Sequence, residues 1–353
     1  MTLLRNVIAF CLIILFVAGC GKNITVSSSN ADAKTIEITD SIGRSVRIPA
    51  PVTSAAVANA YNVELITAIG ASDAIKGVDY NIYQDQAGFK NRFTENEVIG
   101  KNQRELNYEK IIELNPQVLI LTGNGDWDVA QKKLEPFGIK VIVCDSYYTD
   151  KFFNSVRMLG VVFGKQSRAE ELCSYFQSKL DYIEQRLENI EKKRVYFEYR
   201  NPGNTTVPGD YFYKMVEYAG GDNLFKDAKA TKINLEEVVN RNPEYIVKVS
   251  ESKVYSSYLP PTSEDMQRIM NEIRSRPGWD EIDAVKNNHV LLLSHYVHGG
   301  AAKLVGTMYI AKFLYPDQLS ELHPEEIFKT WVTKYQGLDY VEGHTCPAFS
   351  FEE

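Results

Sequence analysis

The sequence predicts an α/β protein built as two Rossmann-like lobes with parallel-type sheets, joined by one long α-helix. Three observations carry this expectation. Short apolar strands alternate with helical patterns on both sides of the chain's middle. Between them, "KQSRAEELCSYFQSKLDYIEQRLENIEKK" runs from Lys165 to Lys193 with Leu172, Phe176, Leu180, Ile183, Leu187 and Ile190 at steps of four, four, three, four and three. Finally, "LNYEKIIELNPQVLIL" and "INLEEVVNRNPEYIVKVS" lie 127 positions apart and spell nearly the same text. A chain of 353 residues is long enough for two cores.

Taken in order, "MTLLRNVIAFCLIILFVAGC" has one basic residue, Arg5, an apolar run from Val7 to Val17, and small residues before Cys20. It reads as a secretory signal over 1–19. The run is shorter than the ~20 residues a membrane-spanning helix needs. The polar stretch that follows Cys20 has nothing to bury and is expected to be a tether over 20–34.

"IEITDSIGRSVRIP" alternates apolar and polar residues around Gly43, as a hairpin does. Then come the strand "VTSAAVAN", the helix "VELITAIGA", the strand "AIKGVD", the helix "YEKIIEL", the strand "VLILTG", the helix "DVAQKKLEPFG" and the strand "KVIVCD". These fill an N-terminal lobe over 35–150. A linker region over 151–193 contains the long helix, roughly 25 residues and near 40 Å at 1.5 Å per residue. A C-terminal lobe over 194–353 follows with the strand "VYFEY", the helices "FYKMVEYAGG" and "LEEVVNRN", the strands "YIVKVS" and "HVLLLS", and the helix "AAKLVGTMYIAKFLYP". The last stretch, from Thr330 on, has weak periodicity and predicts no element.

In each copy of the repeat an Asn stands at a helix N-cap (Asn107, Asn234) and a Glu in the first turn (Glu109, Glu236). Asn115 and Asn242 can close the helix in left-handed geometry, and Pro116 and Pro243 stop it. Capping alone accounts for all of this.

Residues that could hold a ligand belong on loops after strand C-termini. Those loops are rich in Tyr and Trp, which offer stacking area and a polar tip. Tyr61, Tyr80, Trp127, Tyr148, Arg200, Tyr296 and His298 are the candidate ligand-binding residues. Arg200 could grip a carboxylate, a phosphate or an anionic chelate, or pair with a surface acid. His295 and His298 could ligate a metal or form ordinary hydrogen bonds.

The composition excludes several function classes. A net charge of −7, with 44% hydrophobic and 24% charged residues, leaves no basic footprint for nucleic acid. No G-x-S-x-G, P-loop or H-E-x-x-H motif occurs, so no enzyme is expected. All five histidines lie at or after His289, so the N-terminal lobe has none to share in a bare-metal site. Cys144, Cys173 and Cys346 form an odd set without metal-ligand spacing, and one disulfide among them is possible.

The motifs "DSIGRSVRIP", "AIGASDAIKGVD", the two repeat copies, "YAGGDNLF" and "RPGWDEIDAVKNNHVLLL" stand in an order that resembles one family. It is the substrate-binding lipoproteins of ATP-binding-cassette importers for iron-siderophores, haem and cobalamin, the periplasmic binding proteins of the single-long-helix class (class III). "FVAGC" likewise resembles a lipobox, with Phe16 where Leu is commoner. The resemblance implies lipidation at Cys20 and an extracytoplasmic, lipid-anchored location at the cell surface or in the periplasm. It implies a monomer with no resident cofactor that captures a metal chelate, a ferric siderophore before haem or a corrinoid. It also implies that Glu109 and Glu236 contact arginines of a permease dimer, one acid per lobe.

Overall fold

The computed structural model describes residues 35–250, 258–299 and 302–347. The expected signal, Cys20 and the tether lie outside the described residues, as do 251–257 of one candidate loop.

The chain opens with the predicted hairpin, β1 (Thr35–Thr39) against β2 (Ser45–Pro49), with Ile36 opposite Ile48 and Gly43 at φ 85° in the turn. The first lobe continues through β3 (Ala55–Val57), α1 (Ala60–Ala68), β4 (Ile75–Val78), α2 (Tyr80–Gln84) and α3 (Gln86–Phe89). After a small ribbon of β5 (Gly100–Asn102) and β6 (Glu105–Leu106) come α4 (Tyr108–Leu114), β7 (Val118–Leu121), α5 (Trp127–Leu134) and β8 (Lys140–Val143). The strands order as β4-β3-β7-β8, all parallel. The unbroken apolar run of β7 is buried at every position, as a strand covered on both faces requires.

Two helices follow, α6 (Phe152–Val162) and α7 (Gln166–Leu187). The predicted long helix is present but spans 22 residues, about 33 Å. It stops before Ile190, which is 37% exposed and so does not extend the apolar stripe. The structure adds α6, which the sequence reading did not separate. It packs on α7 so closely that a β-carbon at Gly160 would stand 2.5 Å from that of Ala169.

The second lobe contains β9 (Lys193–Tyr199), α8 (Tyr213–Tyr218), β10 (Gly221–Asn223), α9 (Leu235–Arg241), β11 (Tyr245–Val249), α10 (Ser263–Arg274), α11 (Asp283–Lys286), β12 (Val290–Leu293), α12 (Ala302–Leu314), α13 (Pro324–Thr330) and β13 (Thr345–Pro347). Its sheet orders as β10-β9-β11-β12-β13, parallel except for β13, which runs antiparallel along the β12 edge. Thus the unassigned C-terminal stretch supplies a helix-like turn over Trp331–Tyr335 and an edge strand.

The largest apolar cluster does not respect the lobes. It joins Val57 and Val63 of the first to Phe152 and Phe176 of the linker and to Phe197, Phe212, Met308 and Trp331 of the second. Each lobe's opposite sheet face has its own cluster. Packing across the linker therefore ties both lobes to one core, and independent motion would expose part of it.

Candidate functional site

Parallel sheets put the loops after their strands on one rim, and here loop residues of the two rims touch. After β3, Asn59 caps α1 by accepting from the amides of Tyr61 and Asn62. That cap sets Tyr61 against Gly299 of the other lobe, where a β-carbon would stand 2.6 Å from ring atom Cε1. After β8, the rings of Tyr147 and Tyr148 lie 4.6 Å apart, and each meets Tyr211 of the second lobe edge-on, at 6.1 and 6.5 Å. Tyr199, at the end of β9, is 6.3 Å from Tyr211.

Arg200 follows directly, exposed, with φ 56° in the left-handed region. Its guanidinium makes no hydrogen bond or ion pair with another described residue. It is close enough to Tyr61 and Tyr211 to oppose the rise in their pKa. Burial and the Glu64 charge nonetheless push Tyr61 up to about 12. Burial likewise raises Tyr147 and Tyr211, so these phenols stay protonated at neutral pH.

Two buried ionisable side chains underlie this seam. Lys303, in α12, is 1% exposed and donates to the carbonyl of Tyr147 in one lobe and, at 3.1 Å, to that of Tyr211 in the other. Burial lowers its pKa to about 7, against the pull of Asp210 and Asp150. Glu64, in α1, is fully buried, and neither carboxylate oxygen has a hydrogen-bond partner among the described residues. Burial, with the charge of Asp85, lifts it to about 8, eased by the nearby Tyr258 hydroxyl.

The structure thus brings Tyr61, Tyr148 and Arg200 together, with Tyr147, Tyr199 and Tyr211 as companions. Tyr80 stands at the start of α2, 41% exposed, beside Tyr83 at 6.0 Å. Trp127 opens α5 with the Arg44 guanidinium 4.5 Å over its ring, and packs on the apolar cluster of the first lobe's outer face, away from this group. Tyr296 is a core residue: it is 4% exposed, lies against Tyr258 and Phe328, and accepts from Trp331 Nε1 at 2.7 Å. His298 ends the turn Tyr296–His298, and its side chain lies outside the described residues. Tyr211 and Lys303 were not singled out from the sequence. Tyr211 comes from a "PGDYFY" turn rather than a strand end, and Lys303 reads as an ordinary helix lysine.

The repeat folds as its capping pattern predicts. Asn107 accepts from the Lys110 amide and Asn234 from the Glu236 amide, and Asn115 and Asn242 end the helices at φ 45° and 42°. The Asn107 amide bonds to Ile99, which bonds in turn to Val78 at the C-terminal end of β4. The Ile233 amide bonds to Gly203 beyond the end of β9. Both helix starts therefore share the tyrosine rim. Glu109 and Glu236 are exposed, and neither carboxylate makes an ion pair among the described residues.

Among the described residues no group of three or more His, Cys, Asp or Glu could hold a metal ion. Cys144 and Cys173 are free and buried, and burial pushes their thiols up to about 12 and about 11. No helix of the described residues is long and apolar enough to cross a membrane.

Comparison with known proteins points the same way as the fold. The profile described as "Periplasmic binding protein" matches residues 56–297. The chain is 25% identical to an ABC transporter substrate-binding lipoprotein of Bacillus subtilis, YvrC, over 89% of this chain and 97% of that protein. It is 24% identical to the molybdate-binding protein MolA of Haemophilus influenzae, over 86% and 91% of the two chains. The solved TroA-like periplasmic binding protein FepB from Veillonella parvula superposes with a TM-score of 0.72 at 22% identity, covering 88% of this chain and 99% of that one.

Proposed function

Because this chain belongs to the periplasmic binding protein family, and so is a substrate-binding component of an ABC transporter and not an enzyme, we propose that it captures a ferric siderophore or related anionic metal chelate between its lobes. The observation that carries this reading is the Arg200 guanidinium, without a hydrogen-bond or ion-pair partner among the described residues, beside tyrosines of both lobes. A planar cation amid phenol rings suits a ligand with a negative oxygen shell and flat organic arms. Haem and corrinoids share the flat arms, and a corrinoid or haem ligand is the alternative within the same importer class.

Delivery then uses the other features of the rim. Glu109 and Glu236, exposed at capped helix starts and without an ion pair among the described residues, dock onto permease cations, one from each lobe. Lipid on Cys20 holds the protein at the membrane outside the cytoplasm. The test is titration of purified protein with a ferric tricatecholate, a ferric trihydroxamate, haem, cyanocobalamin and molybdate, followed by tryptophan fluorescence. Saturable binding of a ferric chelate, weakened by about 1.5–3 kcal/mol in Arg200→Ala, is expected. Binding of haem or the corrinoid alone would move the assignment to the alternative, and binding of molybdate alone would refute chelate capture.

A further inference from the structure

Beneath Arg200 lies a set of buried charges that no contact with a ligand explains. Glu198, on β9, is 1% exposed and accepts from both terminal nitrogens of Arg276 at 2.9 and 3.0 Å. The same carboxylate accepts from Lys248 Nζ at 2.8 Å, the Tyr196 hydroxyl at 2.8 Å and the Gly203 amide at 2.9 Å. Burial alone would raise the Glu198 carboxyl, and Arg276 and Lys248 more than reverse it, so the group is ionised. Arg276 also donates to Glu272 at 3.0 Å and lies 4.3 Å over the Trp279 ring.

Such a cluster is an expensive way to fill a core. Well-packed apolar side chains of the same volume are often as stabilising, because desolvating the charges offsets most of their attraction. What this cluster does, and apolar residues could not, is hold the backbone above it. Lys248 Nζ donates its second bond, at 2.8 Å, to the carbonyl of Arg200. The Glu198 oxygen that takes the Gly203 amide pins the far side of the same turn. Between these two points Arg200 occupies a left-handed conformation that is strained for a residue with a side chain. The conformation turns the guanidinium out of the strand to the tyrosines at the seam.

We propose that Lys248, held by the Glu198 carboxylate that Arg276 also grips, is a positioning residue that fixes the Arg200 backbone and thereby sets affinity for negatively charged ligands without touching them. This rests on the reading of Arg200 as a ligand contact, and the test separates the two. The probes are a ferric tricatecholate, which is anionic, and a ferric trihydroxamate, which is neutral. Both are titrated into the full protein and into Arg200→Ala, Lys248→Met and the double variant. In Lys248→Met the Glu198 charge keeps Arg276, so the core stays paired. Should that variant not fold, Glu198→Gln with Lys248→Met removes one charge of each sign and leaves Arg276 on Glu272, and it replaces Lys248→Met in every comparison.

The expected result is that Lys248→Met weakens the anionic probe about tenfold and the neutral probe less than about twofold. In the Arg200→Ala background it should cost nothing further, since its effect passes through Arg200. A purely structural role would weaken both probes alike and persist in that background, which would overturn the proposal. If Arg200→Ala weakens the anionic probe while Lys248→Met leaves it unchanged, positioning fails and the ligand contact stands. If Arg200→Ala changes nothing, the contact itself is refuted and positioning with it, and a parent protein that binds neither probe refutes the chelate reading on which both rest.

Discussion

Replacing Glu64 by Gln should change how stability responds to pH. In the folded protein this fully buried carboxyl is raised by burial from 4.5 to about 8, while the unfolded chain restores its ordinary value. Between those two values the folded state holds a proton that the unfolded state has lost. Its stabilising contribution is therefore complete below about pH 4.5 and is lost as pH rises to about 8, at about 1.4 kcal/mol per pH unit and roughly 5 kcal/mol in total. Gln cannot ionise, so its own cost in this pocket is constant with pH.

The parent's curve by itself would hide this slope. His344, lowered by burial to about 4, and Lys303, lowered to about 7, each favour the folded state as pH rises between those values and their ordinary 6.5 and 10.5. Those contributions cancel in the difference between parent and variant. Urea unfolding of both proteins at several pH values between about 5 and 8 gives that difference. It should climb steadily in favour of Glu64→Gln. Parallel curves, with a constant offset, would mean that Glu64 ionises in the folded protein as freely as in water, and the account of an unpartnered buried acid would be wrong.

Other expectations follow from the rim and from the N-terminus. Glu109→Lys with Glu236→Lys should leave chelate affinity unchanged, cost about 0.3–1 kcal/mol at each helix start, and sharply reduce uptake in cells at matched protein levels. Normal uptake would return both acids to helix capping. Asn234→Ala should destabilise the protein by about 1 kcal/mol in thermal or urea unfolding, since the Glu236 amide loses its acceptor; no change would mean that water replaces the cap without cost. Mass spectrometry of protein from its native membrane should find lipid on Cys20, and a mature N-terminus elsewhere without lipid would refute the anchor.

Elements with two chemical end signals were legible in the sequence. "YEKIIEL" is α4 residue for residue, because Asn107 and Asn115 mark both ends. Helix α10 carries a signal at its start alone, a Thr262 cap, with Met266, Ile269, Met270 and Ile273 on one face. Strand β13 has no local signal, since three residues acquire strand geometry only by lying along β12. Within the site, the strand-end rule found Tyr61, Tyr148 and Arg200. It could not separate Tyr296 from them, because what buries that ring is Trp331, thirty-five positions later. Nor could it find Lys303, whose role depends on carbonyls contributed by two distant loops.

The contact between Tyr61 and Gly299 sets a mechanical tolerance. Two ring carbons and the hydroxyl oxygen of Tyr61 stand within 2.6–2.9 Å of where a β-carbon at position 299 would be, so the clearance there is smaller than a methyl group. Gly299 has φ −108°, an ordinary value for any residue, so the backbone does not demand glycine. The demand comes entirely from the opposite lobe. An alanine at that point would act as a shim: either the ring gives way or the two rims part. The aperture between the rims is thus gauged by a hydrogen atom.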